Sequence, residues 1–149
     1  MRAVVQRVTN ASVFVDGVAV GSINKGVMVL LGIKTTDGAN DVDYIVDKIA
    51  NLRIFDDNDG VMNISLLQCG AEVLLVSQFT LYGDARKGRR PSYQDAAKGD
   101  FAIKLYQEVA SRLKGQGINV QMGQFGADMK VSLINDGPVT ILLDSSKVI

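Results

Sequence analysis

Histidine and tryptophan are both absent from this 149-residue chain, which has one cysteine and two prolines. Each absence removes a class of mechanism. Without histidine, neither a Ser-His-Asp nor a Cys-His arrangement can be assembled within the chain. Zinc sites draw mainly on Cys and His, and Cys69 is the single such residue. That lone thiol cannot close an internal disulfide, as expected for a reducing compartment. No run approaches 18 apolar residues, so no membrane-spanning helix and no membrane partner are expected. The opening Met1-Arg2-Ala3-Val4-Val5-Gln6-Arg7 turns polar too early for a signal-peptide core, and the expected location is cytoplasmic. Sixteen basic residues balance 16 acidic ones, which argues against bulk electrostatic coating of nucleic acid but leaves a local grip open. Few aromatics speak against a broad base-stacking platform.

What is present is enough for a core. A hydrophobic content of 47% in this length fits one domain, residues 1–149. Ala3–Val8 and Ala11–Val15 alternate as strands, with the polar pair Thr9-Asn10 between them. Asp16-Gly17 is a hairpin-type turn into Val18-Ala19-Val20. Val27–Ile33 and Val73–Val76 are continuous apolar runs, as buried strands require. Asn40 or Asp41 is placed to cap a helix whose Val42, Ile45, Val46, Ile49 and Leu52 share a face. A second helix is expected over about Asp100–Lys114, with Phe101, Leu105, Val109 and Leu113 inward and Gly115 as its stop. The tail alternates again through Val120, Met122, Met129–Val131 and Val139–Leu143. The expected fold class is α/β, a single compact domain with a β-rich, layered sheet system and about two main helices.

Three segments bear chemistry. Ser77-Gln78-Phe79-Thr80 follows directly on the buried run Val73–Val76, where a strand leaving the core holds functional groups rigidly near a crevice. Its backbone N–H groups are of the type that stabilises an oxyanion; equally, Ser77 and Thr80 can simply satisfy backbone groups at a strand end. Asn135-Asp136-Gly137-Pro138 reads either as an ordinary turn between two strands or as a rigid device that aims carbonyl oxygens at a ligand. Arg86-Lys87-Gly88-Arg89-Arg90-Pro91-Ser92 gathers four cations in a loop, solvated or phosphate-gripping. The acidic stretch Phe55-Asp56-Asp57-Asn58-Asp59-Gly60 fails the calcium-loop register at both ends and reads as a turn. Cys69 has no activating partner in sequence and is expected as a small buried or turn residue. No metal and no cofactor are expected.

Taken together, Ser77-Gln78-Phe79-Thr80-Leu81, Gly88-Arg89-Arg90-Pro91-Ser92, Phe125-Gly126-Ala127-Asp128-Met129 and Asn135-Asp136-Gly137-Pro138-Val139-Thr140 resemble the D-aminoacyl-tRNA deacylase family. Met1–Val8 is similar to that family's opening strand, and the resemblance runs over essentially the whole chain. It implies a homodimer that hydrolyses the ester between a D-amino acid and the tRNA 3′ end. It further implies that the Gly137-Pro138 bond is cis and that this loop enters the partner's site as the chiral selector. Ser77, Gln78, Phe79 and Thr80 then form the catalytic wall around the aminoacyl group and terminal adenosine. Arg7 becomes the anchor of the Gly-Pro loop, and Met129 a neighbour lining the pocket. Glycyl-tRNA, with no side chain to clash, is an expected second substrate.

For the chemical step two routes stand open: attack by Thr80, or assistance from the tRNA 2′-OH with Phe79 and Thr80 N–H groups holding the oxyanion. Two other functions are weighed beside the deacylase. One is a non-catalytic module that binds nucleic acid through Arg86–Arg90; the other is a hydrolase of a different acyl ester.

Overall fold

The computed structural model describes residues 1–149. The two short strands expected at the N-terminus are one: β1 runs over Arg2–Val15, straight through Thr9-Asn10. Asp16 and Gly17, at φ 49° and 78°, turn the chain into β2, Val18–Ile23. Then follow β3 (Gly26–Gly32), α1 (Ala39–Asn51), the short hairpin strands β4 (Phe55–Asp56) and β5 (Met62–Ile64), and α2 (Leu66–Cys69). After them come β6 (Glu72–Ser77), α3 (Gly99–Gly115), β7 (Val120–Met122) and β8 (Lys130–Asp144).

The main sheet has the order β2-β1-β3-β6-β7, with β8 on β1 as well. β1 carries β3 along its first half and β2 along its second, while antiparallel β8 follows its other side almost end to end. β3 and β6 pair in parallel, as do β6 and β7; both connections cross through helices, which cover one face. The period of two in β3 and β6 therefore divides the interior. Val27, Val29, Leu31, Val73 and Leu75 join α1 and α3 in a large core, whereas Met28, Leu74 and Val76 meet Val8, Ala11 and Val13 in a smaller one. The strands are buried on both faces, which is why their sequences run apolar without alternation.

Several expectations are corrected. α1 is capped at Gly38 and not at Asn40 or Asp41, and the Asp41 carboxylate reaches back to accept the Gly38 N–H at 2.8 Å. A third, one-turn helix, α2, is closed by Ser65 and Gln68, each accepting the other's backbone N–H. Cys69 lies at the end of α2 and is exposed. In α3 the buried stripe is Ala102, Leu105, Tyr106, Val109, Ala110 and Leu113, and Phe101 is 45% exposed. Steps of four residues drift by about 40° per turn of a 3.6-residue helix, so the Phe101-based series slides off the face. The acidic stretch is a turn between β4 and β5, in which Asp57 Oδ1 accepts the N–H groups of Asp59 and Val61 at 2.9 and 3.0 Å. Those two bonds, that from Val61 foremost, hold the Asp57 carboxyl below its usual range.

The segment Asn135–Pro138 also differs from the expected turn between two strands. It is an excursion inside the single strand β8: Thr140 pairs with Gln6 and Asn135 with Val8, so Asp136–Val139 loop out opposite Arg7 alone. One step further, β1 has its own irregularity, with Val8 paired to Asn135 and Asn10 to Ile134, so that Thr9 is the extra residue.

Candidate active site

β6 ends at Ser77, whose last partner is Leu31 on β3. The Gln78 N–H still reaches the Leu31 carbonyl at 2.8 Å, and the chain then tightens into a 3₁₀ turn over Phe79–Tyr82. Gly32 makes this approach possible: a Cβ there would lie 3.0 Å from both the Gln78 carbonyl oxygen and Leu81 Cβ. The turn's internal bonds begin with the Leu81 N–H to the Gln78 carbonyl (3.3 Å) and the Gly83 N–H to the Thr80 carbonyl (2.9 Å). The Phe79 and Thr80 N–H groups thus lie in the initial, unpaired turn and donate to no backbone carbonyl.

Beside them opens a cavity of about 280 Å³. Ser77, Gln78 and Phe79 form one wall and Phe125–Met129 with Val131 another, over a floor that includes Leu31, Ile33, Val76, Ala97 and Ala102. Of the residues singled out in the sequence, Ser77, Gln78, Phe79 and Met129 line it together. Thr80 does not line the cavity, but its hydroxyl accepts a hydrogen bond from the Gln78 amide at 2.5 Å. Gln78 is its hydrogen-bond partner, and an amide is not a base. Phe79 is 51% exposed and meets Tyr93 edge to face at 5.1 Å, which fixes its ring at the rim. Asp128, also at the rim, is paired with Lys130 at 2.9 Å.

Phe125 is braced from beneath by Tyr106, at 5.8 Å between ring centres. The Tyr106 hydroxyl donates to the Leu75 carbonyl at 2.7 Å, and burial pushes this phenol's pKa upward. The cavity floor was not legible in sequence, because Leu31, Ile33, Ala97 and Ala102 are ordinary core residues by type. No group of three or more His, Cys, Asp or Glu side chains is arranged to hold a metal ion.

Arg7, Gly137 and Pro138 form a separate constellation. Arg7 is 7% exposed, and its guanidinium donates to the Ile54 carbonyl (2.7 Å), the Asp136 carbonyl (3.2 Å) and Asp56 Oδ1 (3.1 Å). Its Nε also lies 3.4 Å from the Asp136 carboxylate. From the other side, Asn135 Nδ2 donates to the carbonyls of Arg7 (2.8 Å) and Val139 (3.0 Å), closing the neck of the excursion. Gly137 has φ 126°, outside the reach of most L residues, and the Gly137-Pro138 bond is cis. Both residues are exposed, and neither lines the cavity of their own chain. The structure therefore joins Arg7 to Gly137-Pro138 and leaves this pair apart from Ser77–Phe79.

The fold is shared with two solved structures. One, titled c-Myc DNA Unwinding Element Binding Protein, superposes with a TM-score of 0.90 at 40% identity, covering 97% of this chain and 98% of that one. The other, titled as a structural analysis of a probable eukaryotic D-amino acid tRNA deacylase, gives 0.80 at 20% identity and shares the fold. A sequence profile of the family described as D-Tyr-tRNA(Tyr) deacylase matches residues 4–144. The D-aminoacyl-tRNA deacylase of Thermosipho africanus is 58% identical over 148 residues, 99% of each chain. That of Clostridioides difficile is 58% identical over 147 residues, again 99% of each. The chain belongs to the D-aminoacyl-tRNA deacylase family, and it is an enzyme of that class.

Proposed function

We propose that this chain hydrolyses the ester joining a D-amino acid to the 3′ end of tRNA, releasing the free D-amino acid and tRNA. The observation that carries the reading is the pair of free N–H groups of Phe79 and Thr80, beside a cavity and a hydroxyl with no base. An aminoacyl ester is already activated, so placement and oxyanion donors are worth more than a strong base. Water adds to the ester carbonyl, the oxyanion is held by the two N–H groups, and the bond to the ribose 3′ oxygen breaks as that oxygen takes a proton. The neighbouring 2′-OH relays the proton; Thr80 acts through its backbone, since its hydroxyl is engaged by Gln78. Ser77, Gln78, Phe79 and Met129 position the aminoacyl group and terminal adenosine. The step as proposed draws on no cofactor.

Gly137-Pro138 is the chiral selector, supplied by the partner of a homodimer. Its exposure and its separation from the cavity of its own chain support this, as does the outer edge of β8, which pairs only with β1 and exposes Ile134 and Leu142 at 58% and 60%. A rigid carbonyl placed where an L side chain would project rejects L substrates by clash without having to recognise each D side chain. Glycyl-tRNA escapes the clash and is cleaved. No helix is long and apolar enough to cross a membrane, which suits the proposed work on cytoplasmic tRNA.

The test is cleavage of matched D-, L- and glycyl-tRNA by the wild type and Thr80→Ala. D and glycyl esters should be cleaved and L spared, with the variant retaining most of the rate. An intact glycyl ester would refute the steric account, and an acyl-enzyme trapped on Thr80 would replace the substrate-assisted route. The 40%-identical relative, named as a DNA unwinding element binding protein, supports a second reading, a nucleic-acid-binding module working through the basic loop. Substituting Pro138 separates the two, since binding alone would be indifferent to it while enantiomer choice would not.

A further inference from the structure

The loop after the 3₁₀ turn is built in a way the hydrolytic step does not use. Asp84 and Ser92 exchange backbone hydrogen bonds at 2.8 and 2.9 Å, closing a neck from which Ala85–Pro91 project. Arg86 folds back onto Asp84, Nε to Oδ1 at 2.9 Å and a terminal nitrogen to Oδ2 at 2.7 Å. That bidentate pair holds the Asp84 carboxyl down at about 2 and fixes the base of the loop. Lys87, Arg89 and Arg90 are left exposed at its tip around Gly88 (φ 79°), with no carboxylate in salt-bridge range. Unpaired cations concentrated on a braced loop do nothing for the stability of the fold, so their charge is available to an anionic ligand.

The loop's base forms one side of a second cavity, of about 530 Å³, lined by Arg2, Lys34 and Arg86 and by the carboxylate residues Asp84, which Arg86 pairs, and Asp95. Tyr82 lines it too; its residue is 6% exposed, and its hydroxyl is buried with no hydrogen-bond partner. Arg2 lies over the Tyr82 ring at 4.8 Å and is held there by the Leu81 carbonyl. Burial and the nearby carboxylates of Asp37 and Asp144 push the Tyr82 phenol upward, so it remains a donor. Residues that line the two cavities neighbour one another along the chain. Ile33 lines one and Lys34 the other, Phe79 one and Tyr82 the other, Ala97 one and Asp95 the other. A strand of nucleic acid whose terminal nucleoside occupies the first cavity has its preceding backbone within reach of the second and of the loop.

From this we infer that the second cavity, together with the exposed Lys87, Arg89 and Arg90 of the loop whose base lines it, is a phosphodiester-binding site. It holds the single-stranded 3′ end of the tRNA just before the terminal adenosine. The inference rests on the reading of the first cavity as the ester site. Lys34 and the loop cations meet phosphate oxygens. Such contacts add affinity without base specificity, which suits an enzyme that must accept many tRNAs.

The experiment compares wild type with Lys87→Gln/Arg89→Gln/Arg90→Gln, all at exposed positions away from the hydrolytic wall. Two substrates are used, D-aminoacyl-tRNA and the D-aminoacyl ester of adenosine, which has no phosphate. For the tRNA the variant should raise KM about tenfold near 0.1 M salt, leave kcat unchanged, and flatten the log–log salt dependence of kcat/KM by about 2. The adenosine ester should be cleaved equally by both proteins. Unchanged KM and salt slope for the tRNA overturn the site, as does an equal loss on the adenosine ester. Affinity for uncharged tRNA, read by fluorescence anisotropy, keeps the two readings separable. If nothing is hydrolysed and binding still depends on the loop, the deacylase reading falls and the phosphate site stands.

Discussion

Replacing Arg7 with methionine removes the guanidinium that ties β1 to the Gly137-Pro138 excursion while keeping an unbranched side chain in a nine-tenths buried position. Two backbone carbonyls lose a charged donor. The Ile54 carbonyl, bonded at 2.7 Å in a buried setting, is the costlier; the Asp136 carbonyl, at 3.2 Å, is partly buried. Hydrogen bonds to charged groups are worth about 1.5–3 kcal/mol, with the longer and wetter one at or below the lower end. The carboxylates of Asp56 and Asp136 are 52% and 49% exposed, so their ion pairs add little. The expected loss is about 3 kcal/mol, a fall in melting temperature of roughly 6–12 °C for a domain of this size. Urea unfolding should show a lower midpoint at unchanged slope, since the buried surface is preserved. Arg7→Lys keeps the charge without the planar fork and should recover only part of the loss. With the loop untethered, cleavage of L-aminoacyl-tRNA should rise relative to D. A loss below about 1 kcal/mol, together with intact rejection of the L ester, would refute the anchoring argument.

Two further predictions follow from the same geometry. In Gly32→Ala the new Cβ meets backbone and Leu81 Cβ at 3.0 Å, not a flexible side-chain end, so the 3₁₀ turn must shift by a few tenths of an ångström. The rate on D-aminoacyl-tRNA should then drop at least about tenfold with the fold intact by circular dichroism; an unchanged rate would show that the turn's position is not critical. Acid stability tests a second cluster. Burial opposes ionisation of Asp41, but the Ser145 hydroxyl, the Gly38 N–H and the terminal ammonium hold its carboxyl low. Burial likewise opposes Asp144, which Ser146 and Arg2 hold low. Both folded values lie below the unfolded one, so their stabilisation is complete above about pH 4 and is lost as pH falls through the folded values. Urea midpoints should therefore decline below about pH 4, and less steeply in Asp41→Asn. Midpoints flat from pH 5 to pH 3 would contradict this.

The sequence carried most of the strands and both long helices, because each buries a face whose period shows in the residues themselves. It failed where the structure depends on partners far along the chain. Thr9-Asn10 looked like a break because a bulge shows locally as two polar residues, and its reason lies in β8. The 3₁₀ turn at Phe79–Tyr82 has no periodic signature of its own, and Gly32, which admits it, is 46 residues before Gln78. For α2 the signal was present, Ser65 followed by Gln68 three residues on, but one turn is too short to register as a periodic face. Of the site, Ser77–Thr80 and Asn135–Thr140 were legible from their own residues, and Phe125–Met129 only through the family resemblance. That Gly137-Pro138 stands away from the cavity of its own chain was implied only by family resemblance.

The two irregularities at the centre of the β1–β8 ribbon constrain one another. Between the Gln6–Thr140 and Val8–Asn135 pairs β8 has a surplus of three residues, an odd number. An odd surplus turns the later side chains of β8 to the opposite face of the sheet. That switch is observed: Leu143 and Ile141 pack with Ala3 and Val5 on the larger core, whereas Leu133 and Val131, of the same parity, pack with Ala11 and Val13 on the smaller one, and Thr9 makes the matching switch on β1. The length of the Gly-Pro excursion is thus quantised. Lineages and engineers can lengthen or shorten it in steps of two, or by one only with a matching change at Thr9. A single-residue indel there would be paid for by half a strand facing the wrong way.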